Sequence, residues 1–439
     1  MSINRRHFLI NTGIAVAAGT LSAVGQNPAM KLAPETAAKT LQNWTDVREQ
    51  FDMVSRDYIH LSSFFLVSHP RPVREAIEKH RRAIDENPFS YIEHNMFTMP
   101  GRIQAAVAEY LGGKPEEVAL TNSTTMGLAL VYQGLPLKAG QEILTTTHDH
   151  FVHHEAIRLA AERAGATVKK ISLFDNFNSI SEEEIVGRIK KAITPKTRVI
   201  GITWVHSSTG LKLPVRAVAN AIAEANKGRA EADCVLLIVD GVHGFGVEDE
   251  AVARMGADFF IAGTHKWIFG PRGTGIVWAK ADNWKIIRMI FPAFAMETFG
   301  AWLTDTELKT PMQASWLTQG GFHAFEYEWA LPAAFDFHKQ IGRERIAERI
   351  HQLNDQCKEG LAAMRHVKLY TPRGNKLSSG LICFDVEGMK SEEVVKRLLE
   401  KRVIASTAPY KVRYARLAPS LLNTPEEIET TLRHIRALA

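Results

Sequence analysis

Residues 263–275 read GTHKWIFGPRGTG and place one lysine, Lys266, between an apolar strand at 259–262 and a glycine-rich turn. Burial among apolar side chains lowers the pKa of a lysine, because desolvation disfavours the charged amine. A neutral lysine amine can form a Schiff base with a carbonyl compound. Taken alone, Lys266 has a simpler interpretation as a strand-end lysine whose ammonium group extends to solvent. The rest of the sequence distinguishes between the two.

Apolar strands alternate with helical segments on both sides of this stretch. The predicted strands are 118–120, 142–146, 167–171, 199–204, 235–240, 259–262 and 275–279. Helices such as 182–192 and 215–225 lie between them. This pattern predicts an α/β fold with a mainly parallel, seven-stranded sheet sandwiched by helices. Amphipathic helices at 322–341 and 342–364, followed by strands and a closing helix from Pro425, predict a smaller α+β C-terminal domain.

The 439 residues are enough for two domains with a leader. The predicted boundaries are a signal peptide at 1–25, a linker at 26–45, an N-terminal segment at 46–95, a large domain at 96–320 and a small domain at 321–439. Lys266 falls in the large domain, which is therefore expected to contain the ligand-binding site.

The leader has the pattern of an export signal. Arg5 and Arg6 precede an uncharged apolar run that is shorter than a membrane span, and Ala23 and Gly25 are small residues suited to a cleavage site. The stretch RRHFL resembles the twin-arginine signal, which directs folded proteins to their export machinery. We expect a periplasmic or extracytoplasmic protein with no stable membrane anchor after cleavage.

Composition excludes several other classes. The formal net charge of +5 falls to +3 without the two arginines of the leader, which is too weak a bias to predict nucleic-acid binding. The cysteines Cys234, Cys357 and Cys383 are few, odd in number and in apolar or helical contexts, so no disulfide framework is expected.

Four polar features follow predicted strands, at the edge where open α/β sheets place their ligands. The first, TNSTTMG at 121–127, opens a helix, where free N–H groups and hydroxyls suit a phosphate. N-capping by Ser or Thr is the simpler explanation of that feature alone. The second is Asp240, either a loop cap or a buried partner for a cation, and the third is Lys266.

The fourth feature is HDHFVHH at 148–154, in which His150 and His154 stand at helical i, i+4 spacing. A metal site is one alternative, but no second acidic or cysteine cluster completes it. An imidazole stacked on a planar ring suits the other features better, so no metal is expected. Together the four features describe a phosphate, a cationic aromatic nitrogen, a flat face and an aldehyde, which is pyridoxal 5′-phosphate.

The sequence resembles the class V aminotransferase family of fold-type I pyridoxal-phosphate enzymes over about residues 50–437. DGVH at 240–243 is similar to the family's Asp-Gly-x-(Gln/His), and THK at 264–266 to its (Ser/Thr)-x-Lys core. Arg416 with NTPEE at 423–427 resembles its C-terminal motif. The pattern of the whole chain is most similar to the isopenicillin N epimerase-like branch.

The resemblance implies catalytic roles for Lys266, Asp240 and His150. Lys266 would form the aldimine with the cofactor and move the proton, Asp240 would hold the pyridine nitrogen, and His150 would stack on the ring. His243 is implied near the phenolic oxygen. Ser207 stands where relatives commonly have an asparagine at that oxygen.

The resemblance also implies the groups that hold the two ends of the ligand. The implied phosphate-binding residues are Ser123, Thr124, Thr125, Thr264 and His265. Arg416 would bind the substrate carboxylate, because a planar guanidinium can bind it through two parallel hydrogen bonds. Arg413 is the alternative.

The sequence departs from relatives at two further places. The loop STAPY at 406–410 lacks the nucleophilic cysteine of cysteine desulfurases, so desulfurase chemistry is not expected. Gly321 and Phe322 replace a Gly-Thr pair that in many relatives reaches the partner's phosphate, which leaves that contact open. A homodimer is implied by the resemblance.

The expected function is an aminotransferase-type reaction on an amino acid or peptide. An epimerase or racemase similar to isopenicillin N epimerase is the first alternative. A cysteine-independent lyase and a non-catalytic or metal-binding accessory protein are less favoured. The substrate is left open.

Overall fold

The computed structural model describes residues 41–439, all of which belong to one compact unit. The predicted leader, with Arg5 and Arg6, and the predicted linker as far as residue 40 lie outside the described residues. The first helix begins inside the remainder of that linker, where Asn43 caps Trp44–Glu49 by accepting from the backbone N–H of Asp46 at 2.8 Å.

The strands share two sheets and one short ribbon. They are β1 Ile59–His60, β2 Val118–Thr121, β3 Glu142–Thr146, β4 Thr167–Ile171, β5 Thr197–Thr203, β6 Leu236–Asp240, β7 Phe259–Gly263, β8 Gly275–Ala279, β9 Val367–Leu369, β10 Ile382–Val386, β11 Val403–Ile404, β12 Ser406–Thr407 and β13 Ala415–Leu417.

The helices alternate with the strands of the larger sheet and then dominate the C-terminal part. They are α1 Trp44–Glu49, α2 Arg71–Glu86, α3 Pro88–Asn95, α4 Met99–Leu111, α5 Thr124–Gly134, α6 Phe151–Ala164, α7 Glu182–Ala192, α8 Val215–Ala225, α9 Met296–Thr304, α10 Ala314–Leu317, α11 Phe325–Trp329, α12 Leu331–Ile341, α13 Arg343–Ala362, α14 Ser391–Glu400 and α15 Pro425–Arg436. Short 3₁₀ helices occupy Pro115–Glu117, Phe177–Ser179, Glu231–Asp233, Val252–Arg254 and Ala281–Ile286.

The larger sheet confirms the predicted α/β fold. Its strand order is β2-β8-β7-β6-β5-β3-β4, and β8 runs antiparallel to both of its neighbours while the other pairings are parallel. Successive side chains of β6 enter different cores: Leu237 and Val239 pack on one face, Leu236 and Ile238 on the other. A strand covered on both faces has no solvent side, which is why its sequence is uninterruptedly apolar.

The smaller sheet is antiparallel, in the order β12-β13-β10-β9, and shares an apolar core with α13, α14 and α15. Its strands β9 and β12 were not predicted, because three and two residues are too short to show a period. The predicted domain boundaries at 95 and 320 stay predictions.

Two predicted elements differ from the structure. The single helix expected at 322–341 is two helices, α11 and α12, with Ala330 between them. Pro332 explains the break, since it has no N–H to continue α11 but fits the first turn of α12. Within the N-terminal segment the sequence also predicts a short strand from about residue 58 to 66; the structure has only β1 there, and the chain then turns at Ser62.

Among residues 41–439, no helix combines the length and the apolar character that crossing a membrane requires.

Candidate active site

A cavity of about 320 Å³ lies where β2, β3, β5, β6 and β7 end at their carboxyl edges. Its lining is Phe64, Phe65, Ser123, Thr124, Thr125, Leu128, His150, Val152, Thr203, Ser207, Asp240, Val242, His243, His265, Lys266, Pro409 and Arg416. All of the predicted site residues line it except Thr264. Clefts at this edge are the usual ligand sites of parallel sheets.

Lys266 lies in a tight turn directly after β7. Its carbonyl accepts from the N–H of Phe269 at 3.0 Å, and Phe269 takes the left-handed conformation with φ 57°. The neighbour of its Nζ is a neutral imidazole rather than a carboxylate: Nε2 of His243 lies 3.4 Å away. Burial lowers the pKa of Lys266 to about 8, against the opposing attraction of Asp240. The amine is therefore far easier to deprotonate than that of an exposed lysine.

Asp240 is the last residue of β6 and is buried. Its Oδ1 accepts from the N–H of Val242 at 3.2 Å, which fixes the carboxylate at the floor of the cavity. Burial raises the pKa of Asp240 to about 6, while that hydrogen bond and Lys266 favour the ionised form. A further cationic group beside this carboxylate would stabilise its charge.

Two imidazoles form walls of the cavity. His150 caps α6, because its Nδ1 accepts from the N–H of Val152 at 3.4 Å. Burial, together with Lys266 and Arg416, lowers the pKa of His150 to about 4, and burial also lowers the pKa of His243. Both rings are therefore neutral at physiological pH and can contact a flat ligand without adding charge.

The N-terminus of α5 forms another wall. Ser123 accepts from the N–H of Met126 at 3.2 Å, so it is an N-cap as the simpler interpretation expects. Thr124 accepts from the N–H of Gly263 at 2.7 Å and ties the helix to β7, while Thr125 is exposed. The first backbone N–H groups of a helix lack partners within it, so this end retains donors for an anion.

Thr264 lies outside the cavity lining. Its hydroxyl shares a hydrogen bond with that of Thr274, and the residue is completely buried. This bond closes the turn that carries Lys266. The phosphate role implied for Thr264 stays a prediction, whereas His265 does line the cavity.

Arg416, on β13, is the arginine that reaches the cavity. It donates to the hydroxyl of Ser406 and to the carbonyls of Ser207 and Thr407, at 3.2, 2.9 and 3.0 Å. A guanidinium has five N–H donors, so one remains on each terminal nitrogen. Arg413 instead forms an exposed salt bridge with Glu392 at 2.7 Å, away from the cavity.

Sequence reasoning missed Phe64 and Phe65, which lie in the turn where a longer strand was expected. It also missed Tyr410, whose hydroxyl lies 2.7 Å from that of Ser207 and whose ring packs edge-on against His150. The only signal for the first pair was two adjacent phenylalanines in a short segment. Nothing local marks Tyr410, since its partners are more than 200 positions away.

The histidine-rich stretch has a structural explanation. Asp149 is buried and accepts from the N–H groups of Thr146 at 2.9 Å and Thr203 at 2.7 Å, so it joins the ends of β3 and β5. The ring of His154 bonds the carbonyl of Thr146 at 2.8 Å. In the part of the chain that is described, no group of three or more His, Cys, Asp or Glu side chains is arranged to hold a metal ion.

Pyridoxal 5′-phosphate fits the residues present. The start of α5 suits its phosphate, Asp240 its ring nitrogen, His150 its flat face and Lys266 its aldehyde. Nδ1 of His243 and Nδ1 of His265 are also buried without hydrogen-bond partners among residues 41–439. Buried polar atoms usually have a partner, which is consistent with a site shaped for a polar ligand.

The sequence of this chain is similar to that of several known proteins. The sequence model of the Aminotransferase class-V family matches residues 69–413. Isopenicillin N epimerase of Amycolatopsis lactamdurans is 26% identical over 353 residues, 78% of this chain and 84% of that protein. A probable cysteine desulfurase of Vibrio cholerae is 22% identical over 356 residues, 75% of this chain and 80% of that protein.

A solved structure with the same architecture is a C-DES mutant with glycine covalently linked to its PLP cofactor. It has a TM-score of 0.79 and 22% sequence identity, covering 89% of this chain and 98% of that chain. At this identity the likeness establishes the fold.

Proposed function

The chain belongs to the aminotransferase class-V family, and on that premise we propose that it is a pyridoxal-phosphate enzyme acting on the amino group and α-carbon of an amino acid or peptide. The observation that carries the proposal is the convergence of Lys266, Asp240 and Arg416 on one cavity. These are a base of lowered pKa, a buried carboxylate and a guanidinium with two free donors.

Each of these side chains has one task in the proposed chemistry. When bound, pyridoxal phosphate supplies an electron-poor ring that stabilises negative charge at the substrate's α-carbon. Nζ of Lys266 removes and returns the α-proton, and its lowered pKa of about 8 gives an appreciable neutral fraction near pH 7. Asp240 keeps a proton on the ring nitrogen, and Arg416 orients the substrate by its carboxylate.

Within this chemistry we favour an aminotransferase-type reaction, in which one base, Nζ of Lys266, serves every proton transfer. Epimerisation is the second candidate, and the isopenicillin N epimerase relatives favour it. An epimerase must return the proton to the opposite face. Ser207 lines the cavity and shares a hydrogen bond with the hydroxyl of Tyr410, and its own hydroxyl is a second group there that can hold a proton.

Amino transfer and epimerisation have different products, so one experiment separates them. The protein with added pyridoxal phosphate is incubated with single L-amino acids other than alanine in D₂O, with and without pyruvate, and followed by proton NMR and chiral chromatography. Amino transfer predicts that a 2-oxo acid accumulates beyond one equivalent of the enzyme, together with alanine, only when the acceptor is present. A deuterated D-enantiomer formed without the acceptor would make this an epimerase instead.

We do not propose a desulfurase, although desulfurases are among the relatives. That reaction needs a nucleophilic cysteine. Cys357 and Cys383 are buried, which raises the pKa of each thiol to about 12, and no cysteine of the described residues lines the cavity. A lyase that needs no cysteine is less favoured than amino transfer.

We also propose that the protein is exported through the twin-arginine pathway to the periplasm. The support is the pair Arg5-Arg6 ahead of an uncharged apolar run. Replacing both arginines with lysine preserves the positive charge. If the export machinery recognised only that charge, the variant would still be exported. We expect Arg5→Lys with Arg6→Lys to abolish periplasmic accumulation on cell fractionation. Export of this double variant at the normal level would refute the proposal.

A homodimer is a further proposal. The segment around α9 exposes large apolar side chains, among them Phe294, Met296 and Trp302 at 67, 54 and 69% of their area. Exposed apolar side chains of this size mark interaction surfaces. Sedimentation of the purified protein at the mass of a single 48.9 kDa chain would contradict the proposal.

A further inference from the structure

We propose that this site selects α-amino acids with apolar, preferably aromatic, side chains and rejects those with a second charge. This inference rests on the proposed function, since it places the substrate carboxylate on Arg416. The selecting residues are Phe64 and Phe65, with Pro409 completing the apolar part of the wall.

The turn that carries the two phenylalanines is fixed to the strand that carries Arg416. The N–H of Phe65 donates to the carbonyl of Ser62 at 3.0 Å, which closes the turn. Ser62 forms a parallel β-bridge with Ala418, two residues after Arg416. The turn therefore keeps a constant position relative to the guanidinium.

A hydroxyl pair strengthens this attachment. Ser63 donates to the hydroxyl of Ser420 at 2.9 Å, and both residues are buried. A buried hydrogen bond with no competing water holds its partners in place. The wall beside the carboxylate site is thus preformed.

Phe64 and Phe65 present apolar surface of different kinds. The ring of Phe64 is buried and covers the guanidinium of Arg416, with the Cζ atom 4.3 Å from the ring centroid. Phe65 lines the cavity yet keeps 75% of its area exposed. An exposed aromatic ring at a cavity mouth gains free energy when a ligand covers it. Phe65 is therefore the lining residue that we expect to contribute most to the binding of an apolar substrate side chain.

The charges of the lining argue against a second charged group on the substrate. Among the lining residues described, the only ammonium, guanidinium and carboxylate groups are those of Lys266, Arg416 and Asp240. All three have tasks in the proposed chemistry. A side-chain carboxylate or ammonium would lose its hydration without gaining a partner, which is costly. Glutamate and lysine should therefore bind more weakly than phenylalanine or norleucine.

The experiment measures binding rather than turnover. Phenylalanine, norleucine, alanine, glutamate and lysine are titrated into the protein loaded with pyridoxal phosphate, and the change in its visible absorption gives each Kd. We expect phenylalanine and norleucine to bind at least about tenfold more tightly than glutamate and lysine. Equal or tighter binding of glutamate or lysine would overturn the inference. If no amino acid changes the spectrum, the inference fails, and the proposed function fails for free amino acids as well.

Two variants identify the selecting residue. Phe65→Ala should weaken phenylalanine binding about tenfold and change alanine binding less than about twofold, because only the larger ligand covers the ring. Phe89→Ala removes an equally exposed phenylalanine, 77% accessible and outside the cavity lining, and should change neither value. Circular dichroism and cofactor content verify that the Phe65→Ala protein is folded and loaded. If such a protein binds phenylalanine as tightly as the wild type, the role of Phe65 is refuted.

Discussion

Lys266→Ala is expected to abolish the visible absorption of the protein with pyridoxal phosphate and to lower its turnover about 10³-fold or more. The reason is that the proposed function makes Nζ of Lys266 both the amine that reacts with an aldehyde and the base that moves the α-proton. Nζ lies 3.4 Å from Nε2 of His243, and burial lowers its pKa to about 8 despite the attraction of Asp240. Absorption spectra and single-turnover rates of the variant give the two readouts.

A matched control is Lys285→Ala. Lys285 forms an exposed salt bridge with Asp282, outside the cavity lining, so its loss should change neither readout. If Lys266→Ala kept a visible band that borohydride removes, the assignment of Lys266 would be wrong.

Asp240→Asn is expected to slow exchange of the substrate's α-proton about 10²- to 10³-fold while the protein still folds and binds the cofactor. Asparagine has the shape of aspartate and can still accept from the N–H of Val242, but it cannot carry the negative charge. The ring nitrogen would then lose its proton, and with it the stabilisation of charge at the α-carbon. NMR in D₂O measures the exchange with an amino acid that binds the wild-type protein.

The cause of any loss is tested by a second variant. Asp282→Asn removes an exposed carboxylate that is paired with Lys285. This variant should exchange the substrate's α-proton at the wild-type rate. Exchange by Asp240→Asn within about threefold of the wild type would show that the charge of this carboxylate is not used.

The sequence was sufficient to predict the site residues that directly follow uninterrupted apolar strands. Asp240 ends β6 and Lys266 follows β7, and because the carboxyl ends of neighbouring parallel strands share one edge, their proximity follows from the pattern. Arg416 was found by its motif, but only its three hydrogen bonds and the exposed salt bridge of Arg413 separate the two candidates.

What the sequence could not predict depends on contacts between distant segments. Phe64 and Phe65 join the site because their turn pairs with Ala418, more than 350 positions later. Tyr410 contacts Ser207 for a similar reason. A local pattern of apolar residues contains no information about such pairings. These three residues were therefore not predicted as part of the site.

Thr264 shows what a sequence motif leaves open. The resemblance implies a phosphate contact for Thr264, and that role stays a prediction, while the structure shows its hydroxyl bonded to that of Thr274. Spacing along the chain fixes which residues are near the site, but the side-chain rotamer decides which of them face it.

The central claim is that Lys266 is the residue that reacts with pyridoxal phosphate, and it can be tested on the wild-type protein. The purified protein, supplied with pyridoxal phosphate, is treated with borohydride, digested and mapped by mass spectrometry. We expect the visible band to disappear on reduction and the pyridoxyl adduct to lie on the peptide that contains Lys266. A protein that takes up no pyridoxal phosphate, or an adduct on another lysine, would contradict the account.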